Sequence, residues 1–346
     1  MATSTPKFPL FCMGNPLLDI QVKSEEILKK YKLKANDAIL AGEEQQPIYE
    51  EIVKNHQVTY VAGGAAQNAA RAAAYVLPEN SVVYAGCVGD DDLADQLRAA
   101  NKREGVESAY LVAKGVKTGA CAVVLTGHDR SLVTTLRAAE KFDKAHLSSP
   151  EVAPLIANAK VFYVGGFFLT HGVESALIVA QEAAKSSKIF GLNLSAPFIA
   201  QFFKVQLEKV IPYTDILFGN ESEAAAWAEA SGLPNTTDLG AIALSLAKLP
   251  KANAARPRTV VITAGADATH VATSDSDKAK VYKVDRLPDD KIVDTNGAGD
   301  AFAGGFMGAI VLGKTVDEAV EVGHKLGAMC VGQVGPQLKW PKENVL

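Results

Sequence analysis

The run Asp294-Thr295-Asn296-Gly297-Ala298-Gly299-Asp300 brings together residue types that suit the handling of an anion. It follows an apolar run, Lys291-Ile292-Val293, that reads as a strand. It opens a segment, Ala301 to Leu312, in which Phe302, Phe306 and Ile310 recur at helical spacing. The first turn of a helix leaves backbone N–H groups unpaired and carries partial positive charge. Gly297, Ala298 and Gly299 can therefore wrap a phosphoryl group with no side chain in the way. A carboxylate at Asp300 adds nothing to phosphate binding; it suits the other reactant, a hydroxyl whose proton must leave. The same residues also allow an ordinary glycine turn with an acid in the first helical turn.

Three further groupings carry chemistry. Gly63-Gly64-Ala65-Ala66-Gln67-Asn68 again enters a helix, where paired glycines permit close backbone approach and Asn68 offers a donor and an acceptor to sugar hydroxyls. In Met13-Gly14-Asn15-Pro16-Leu17-Leu18-Asp19, Asn15 and Asp19 lie just past the first apolar run. An acid inside Leu17-Leu18-Asp19-Ile20 is costly to bury without a partner, and a vicinal diol donating two hydrogen bonds would supply one; a turn residue or an amide partner is the plainer use. Asn220-Glu221-Ser222-Glu223 places an amide and a carboxylate three residues apart. That spacing suits a hydrated magnesium ion beside phosphates, or an N-cap with its capping-box acid.

Composition narrows the partners. Lys and Arg total 35 against 39 Asp and Glu in 346 residues, a net charge of -4, which gives no support for nucleic acid or an anionic membrane. The four cysteines, Cys12, Cys87, Cys121 and Cys330, are far apart and suit reduced thiols better than a disulfide framework or a zinc site. Met1 to Leu10 is short and polar, unlike a signal peptide, and the apolar stretch Ala301 to Gly313 is too short to span a bilayer.

These residues need a scaffold. Apolar runs at Phe8 to Met13, Val82 to Cys87, Val161 to Val164, Ile189 to Leu194, Ile216 to Phe218 and Thr259 to Thr263 alternate with alanine-rich helical stretches at Ala65 to Tyr75, Asp91 to Arg103, Val173 to Ala184, Glu221 to Ala230 and Leu239 to Lys248. This alternation predicts an α/β fold, a mostly parallel sheet with helices on both faces and functional groups at the strand C-termini. Two inserts break it. Leu17 to Val61 carries strand-like pieces around one polar helix, and Thr118 to Leu136 reads as a hairpin turning at Gly127-His128-Asp129. Together they predict a small β-rich lid from residues 15–65 and 117–137, with residues 1–14, 66–116 and 138–346 forming the large unit. Closure over phosphates would hinge at Gly14, Gly63-Gly64 and Gly115.

Jointly, the motifs resemble those of the ribokinase, or PfkB-type, kinases. Asp294 to Asp300 matches that family's second signature and Gly63 to Asn68 resembles its first. The likeness runs from about Phe11 to Val334 and is greatest to the branch that phosphorylates adenosine, through Met13 to Ile20, Arg130-Ser131-Leu132, Gly166-Phe167-Phe168-Leu169-Thr170, Leu192 to Phe198 and Phe218 to Glu221. The resemblance implies a ribokinase-like three-layer fold and transfer of the γ-phosphoryl group of ATP to the 5′-hydroxyl of adenosine, with magnesium required and a monovalent cation such as potassium able to act near the Asp294 loop. It implies Asp300 as base and the Gly297, Ala298 and Gly299 backbone as anion hole; a carboxylate at a helix N-terminus should have a lowered pKa, so this base would orient the alcohol and accept the proton late. Arg130 would close over the phosphates. Asn15, Asp19, Gly64 and Asn68 would grip the ribose, and Gly63, Ala65, Cys121 and Asn296 would also contact the substrate. Phe168 and Phe198, with Leu40, Leu132 and Leu136, would clasp the purine. Asn193, Asn220, Glu223, Thr263, Gly265 and His324 would face the nucleotide, Glu223 holding magnesium through water. A cytoplasmic or also nuclear monomer is expected. Where animal members of this branch carry serine and glutamine, this chain has Ala65 and Ala38, which predicts looser polar readout of the nucleoside. Another kinase of the same fold, an idle nucleotide-binding protein and a dinucleotide-dependent oxidoreductase are the alternatives; no Gly-x-Gly-x-x-Gly follows the first strand, which ranks the last lowest.

Overall fold

Alternate residues along the central strands enter two different apolar layers, and this sets the architecture. Leu10 and Cys12 pack with Val82, Tyr84, Val161, Tyr163 and Phe218 on one side. Phe11 and Met13 pack with Val83, Phe162, Val164, Phe190 and Leu217 on the other. A strand buried on both faces has this two-residue period with no polar face. The computed structural model describes residues 7–35, 38–127 and 129–346; residues 1–6 and His128 of the expected hairpin turn lie outside them.

In chain order the strands are β1 (Leu10–Met13), β2 (Leu17–Lys23), β3 (Ala38–Leu40), β4 (Thr59–Gly63), β5 (Val82–Val88), β6 (Val106–Val112), β7 (Gly119–Thr126), β8 (Asp129–Thr135), β9 (Val161–Gly165), β10 (Ile189–Asn193), β11 (Ile216–Asn220), β12 (Thr259–Ala264), β13 (Ala268–Thr273) and β14 (Lys280–Lys283). Nine form the large sheet, in the order β14-β13-β12-β11-β10-β9-β1-β5-β6. It is parallel from β6 to β12, and β13 and β14 add antiparallel. Helices Ala65–Val76, Ala298–Val311 and Val316–Val331 cover one face, and helices Val173–Lys185, Glu221–Ala230 and Leu239–Ala247 the other.

The six expected strands and five expected helices occur, with ends moved by a few residues. The short polar β14 has no apolar run to announce it. The strand expected at Lys291 to Val293 is not formed. Asp289–Lys291 is a single 3-10 turn, and the amides of Val293 and Asp294 bond to the carbonyl of Val331 at the end of the last helix, at 2.9 and 3.0 Å. Helix-end carbonyls thus take the donors that a sheet would have used.

The two inserts meet in a five-stranded sheet, β3-β8-β7-β2-β4, in which β2 runs parallel to β7. Two helices rather than the expected one, Glu25–Lys30 and Ile48–Asn55, cover one face through Ile27, Ile48 and Ile52 on Ile20, Val22, Ala122 and Val124. Asp19 and Gln21 alternate to the other face and are nevertheless buried. That face looks at Gly335 and at Asp294 and Asp300.

Candidate active site

Two helices packed backbone to backbone bring the key pair together. A Cβ on Gly304 would lie 2.2 Å from the carbonyl oxygen of Ala69, so only glycine lets helix Ala298–Val311 approach helix Ala65–Val76 this closely. Near the start of both helices, Asn68 Nδ2 donates to Asp300 Oδ2 at 2.9 Å. Asn68 Oδ1 accepts from Arg71 Nη2 at 3.0 Å.

The paired glycines carry β4 into the helix directly over the lid acid. A Cβ on Gly63 would meet Asp19 Oδ1 at 2.2 Å, and one on Gly64, whose φ is +86°, would meet the carbonyl oxygen of Asn15 at 2.3 Å. Asp19, Asn15, Gly63, Gly64, Asn68 and Asp300 are thereby one cluster. Ala65 is the first residue of the helix, next to it. Cys121 pairs with Asp19 across β2 and β7 and accepts a hydrogen bond from Thr134 Oγ1 at 3.5 Å.

Asn15 is oriented by two bonds. Its Nδ2 donates to the carbonyl of Phe167 at 3.3 Å, and its Oδ1 lies 2.9 Å from His171 Nε2. Burial pushes His171 down to about 4, so the ring is neutral at pH 7 and donates through Nε2, since the amide oxygen only accepts.

The carboxyls depart from expectation. Asp300 is raised from 3.8 to about 7, first by burial, against the opposing hydrogen bond from Asn68 and the charge of Arg71. The lowered value expected from its place at a helix terminus is therefore wrong: desolvation outweighs the helix dipole. Asp19, 6% exposed, is likewise raised to about 7 by burial, with Asp300 and Asp294 adding to the rise and Arg71 and Arg130 opposing it.

The anion loop is braced from beneath. Gly297 has φ +79°, and a Cβ there would meet Pro336 Cβ at 2.5 Å, whereas a Cβ on Gly299 would meet no atom within 4 Å. One glycine is required by the turn and the other leaves open space above it. Asp294 Oδ1 accepts from the Asn296 amide at 2.8 Å and Oδ2 from the Gly335 amide. Arg130, from β8 of the small sheet, forms an ion pair with Asp294, so the small sheet touches the turn at residues 294–300.

The phenylalanines expected around the purine lie in and near one 3-10 turn. Phe168 is 1% exposed, its ring edge-on to Phe142 at 5.4 Å and to His171 at 5.1 Å. The ring that meets Phe198, at 5.9 Å, is its half-buried neighbour Phe167. Gly166–Thr170 is a 3-10 turn, in which successive side chains point to different sides, so Phe168 enters the core and Phe167 does not. Leu40 is 43% exposed, Leu132 is half-buried on β8, and Leu136 packs on Leu17 and Ala139.

Across the C-terminal edge of the sheet, Asn193 donates to the Tyr163 hydroxyl at 3.1 Å and accepts from the Ser195 amide at 2.9 Å. Asn220 and Glu223 form a reciprocal capping box, with bonds of 2.9 and 3.0 Å. Glu223 is buried, and burial raises it to about 7, with the charge of Asp300 adding to the rise. Thr263 and Gly265 lie at and just past the end of β12. His324 Nε2 is 2.8 Å from Thr269 Oγ1, and its ring lies against Phe302; these contacts fit a packed histidine. Sequence reasoning did not single out His171 or Arg71, which bond to Asn15 and Asn68. For Arg71 a signal existed, since an arginine in an otherwise alanine-rich helix needs a buried partner.

The pfkB family carbohydrate kinase profile matches residues 28–343. The chain belongs to this family. An adenosine kinase of Schizophyllum commune is 62% identical to it over 341 residues, covering 98% of this chain and 99% of that one. Among solved structures, Anopheles gambiae adenosine kinase in complex with P1,P4-di(adenosine-5) tetraphosphate superposes with a TM-score of 0.91 at 41% identity, covering 93% of this chain and 95% of that one. Schistosoma mansoni adenosine kinase in complex with adenosine superposes with a TM-score of 0.90 at 35% identity, covering 96% and 97%.

Proposed function

We infer that this chain is an ATP-dependent phosphotransferase that moves the γ-phosphoryl group to the 5′-hydroxyl of adenosine, giving AMP and ADP. The carrying observation is the Asn68–Asp300 hydrogen bond, which joins the helix entered from the paired glycines to the helix that begins in the anion loop. Asp300 takes the hydroxyl proton. Its raised carboxyl is a stronger base than an ordinary aspartate, yet ionised in a large fraction of molecules near pH 7. The backbone of Gly297, Ala298 and Gly299 receives the moving phosphoryl group. Asp19 accepts hydrogen bonds from both ribose hydroxyls, Asn15 and Asn68 orient the sugar, and Phe198 with the phenylalanines of the Gly166–Thr170 turn offers the purine an apolar surface. Arg130 exchanges its contact with Asp294 for the phosphates as the lid closes.

Magnesium fits beside Glu223. Its carboxyl is buried with only the capping bond to offset its charge, and a hydrated divalent cation would stabilise the ionised form. Bound there beside phosphates, the ion would offset charge developing on the transferred group. Four buried unpaired thiols suit a reducing, cytoplasmic setting. Because Arg130 reaches Asp294 within one chain, a monomer suffices for the site.

An ADP-release assay with adenosine, inosine, guanosine and ribose tests the reading. Adenosine is expected to be preferred; preference for ribose overturns the acceptor, and no turnover with any alcohol overturns the kinase. Gly299→Ala tests the anion hole. Its Cβ meets no protein atom, so the melting temperature should stay within about a degree while kcat falls roughly tenfold or more, as the methyl enters the phosphoryl path.

A further inference from the structure

Arg71 lies one helical turn beyond Asn68 and is 3% exposed among alanines. Its Nη2 donates to Asn68 Oδ1 and to the carbonyl of Pro336, both at 3.0 Å, and its Nε pairs with Glu104 Oε2 at 3.1 Å. Placing a guanidinium there incurs a desolvation cost that packing alone would avoid with a leucine or methionine. What the charge achieves at this position is visible in its partners.

An asparagine amide has two nearly isosteric ends, one donor and one acceptor. Asn68 faces a carboxylate on one side and a guanidinium on the other. Turned over, it would set its oxygen against Asp300 and its N–H groups against Arg71, two repulsive contacts in place of two bonds. The arginine therefore selects the amide orientation that donates to Asp300 Oδ2 and leaves Oδ1 for the alcohol. Through Pro336, which packs beneath Gly297, the same guanidinium ties the catalytic helix pair to the brace under the anion loop.

We propose that Arg71 is a positioning residue for phosphoryl transfer: it fixes the Asn68 amide as a donor and thereby aims the Asp300 carboxylate at the acceptor hydroxyl. The inference rests on Asp300 being the base. The groups that face Asp300 from the elements around it are Asp19 of β2, Tyr163 of β9, Glu223 of helix Glu221–Ala230 and Cys330 of helix Val316–Val331, all acids. Arg71 is the cation acting on it. Removing that cation should make the carboxylate harder to ionise as well as misaligned.

The test compares pH profiles of kcat and kcat/KM for adenosine in the wild type, Arg71→Lys, Arg71→Met, the double variant Arg71→Met with Glu104→Gln, and Asp300→Asn. The double variant also removes the Glu104 carboxylate that pairs with Arg71, so it keeps the test available if Arg71→Met does not fold. Expected are a kcat lowered about 10- to 100-fold in both methionine variants, an acid limb moved at least half a pH unit upward, and return of the limb toward the wild-type position in Arg71→Lys. If the limb stays in place in every Arg71 variant while that of Asp300→Asn vanishes, Arg71 is a packing residue and the proposal is overturned alone. A limb that survives unchanged in the kcat profile of Asp300→Asn, measured at saturating adenosine where the diol holds Asp19 ionised, overturns the base assignment and the inference with it.

Discussion

Asp300→Asn is expected to lower kcat for adenosine by about 10²–10⁴, the range general bases contribute, while the dissociation constant for adenosine changes by less than about threefold. The substitution preserves shape, and the new amide oxygen can still accept from Asn68 Nδ2, which donates at 2.9 Å in the native chain. Only the capacity to take a proton is lost. The wild-type rate should rise with pH through about 7, where the buried carboxyl ionises, and the variant should be insensitive to the Asp300 titration. Asp19 is raised to a similar value and the two acids repel, so the wild-type limb belongs to the pair and should be steeper or broader than one ionisation. Binding by calorimetry and turnover by ADP release, measured on the same preparation, separate the two effects. Equal losses in affinity and kcat would show that Asp300 holds the nucleoside rather than reacting with it.

The value at Asp300 also marks where sequence reasoning reaches its limit. Glycine spacing, the acid after it and the helical recurrence of Phe302 and Phe306 are local properties, and they located the loop, its helix and the carboxylate. Likewise, the apolar runs that became β1, β5 and β9 to β12 are legible because strands buried on both faces have no polar residue to break them. Desolvation is not local. It depends on what the other face of helix Ala65–Val76 and the lid sheet bring near Asp300, and it reverses the direction the helix terminus alone would give. The difference in burial between Phe168 and Phe167 has a similar origin, since a single 3-10 turn decides which of two adjacent identical rings enters the core. Asn220 and Glu223 illustrate a third limit: the capping box is formed, and a carboxylate so engaged can still face an ion with its other oxygen.

Asp19→Asn should produce the second large effect, and in two opposite directions. With an ionised Asp19, a ribose diol donates two charge-assisted hydrogen bonds, worth about 1.5–3 kcal/mol each, so the variant should lose roughly 10²–10⁴ in kcat/KM for adenosine. Against 2′-deoxyadenosine, which offers one of the two donors, the loss should be smaller, so the preference between the two nucleosides narrows. Stability moves the other way. The Asp19 carboxyl rises from 3.8 to about 7 on folding, so between those values the folded chain keeps a proton that the unfolded chain has released. The contribution of this group to stability therefore falls as pH rises through that window and is lowest above it. Asparagine carries no such penalty, so Asp19→Asn should melt a few degrees above the wild type at pH 8 and at about the same temperature at pH 4. Adenosine should offset the penalty in the native chain, because hydrogen bonds from the diol favour the ionised acid. Near pH 6.5 its binding should then release protons, read as a dependence of the calorimetric heat on buffer ionisation enthalpy, and that release should disappear in the variant. A wild type that binds adenosine at this pH without proton release would mean that Asp19 is not the acceptor for the diol. Ionised Asp19 is thus a state the empty fold disfavours below about pH 7, and a bound diol would make it favourable there.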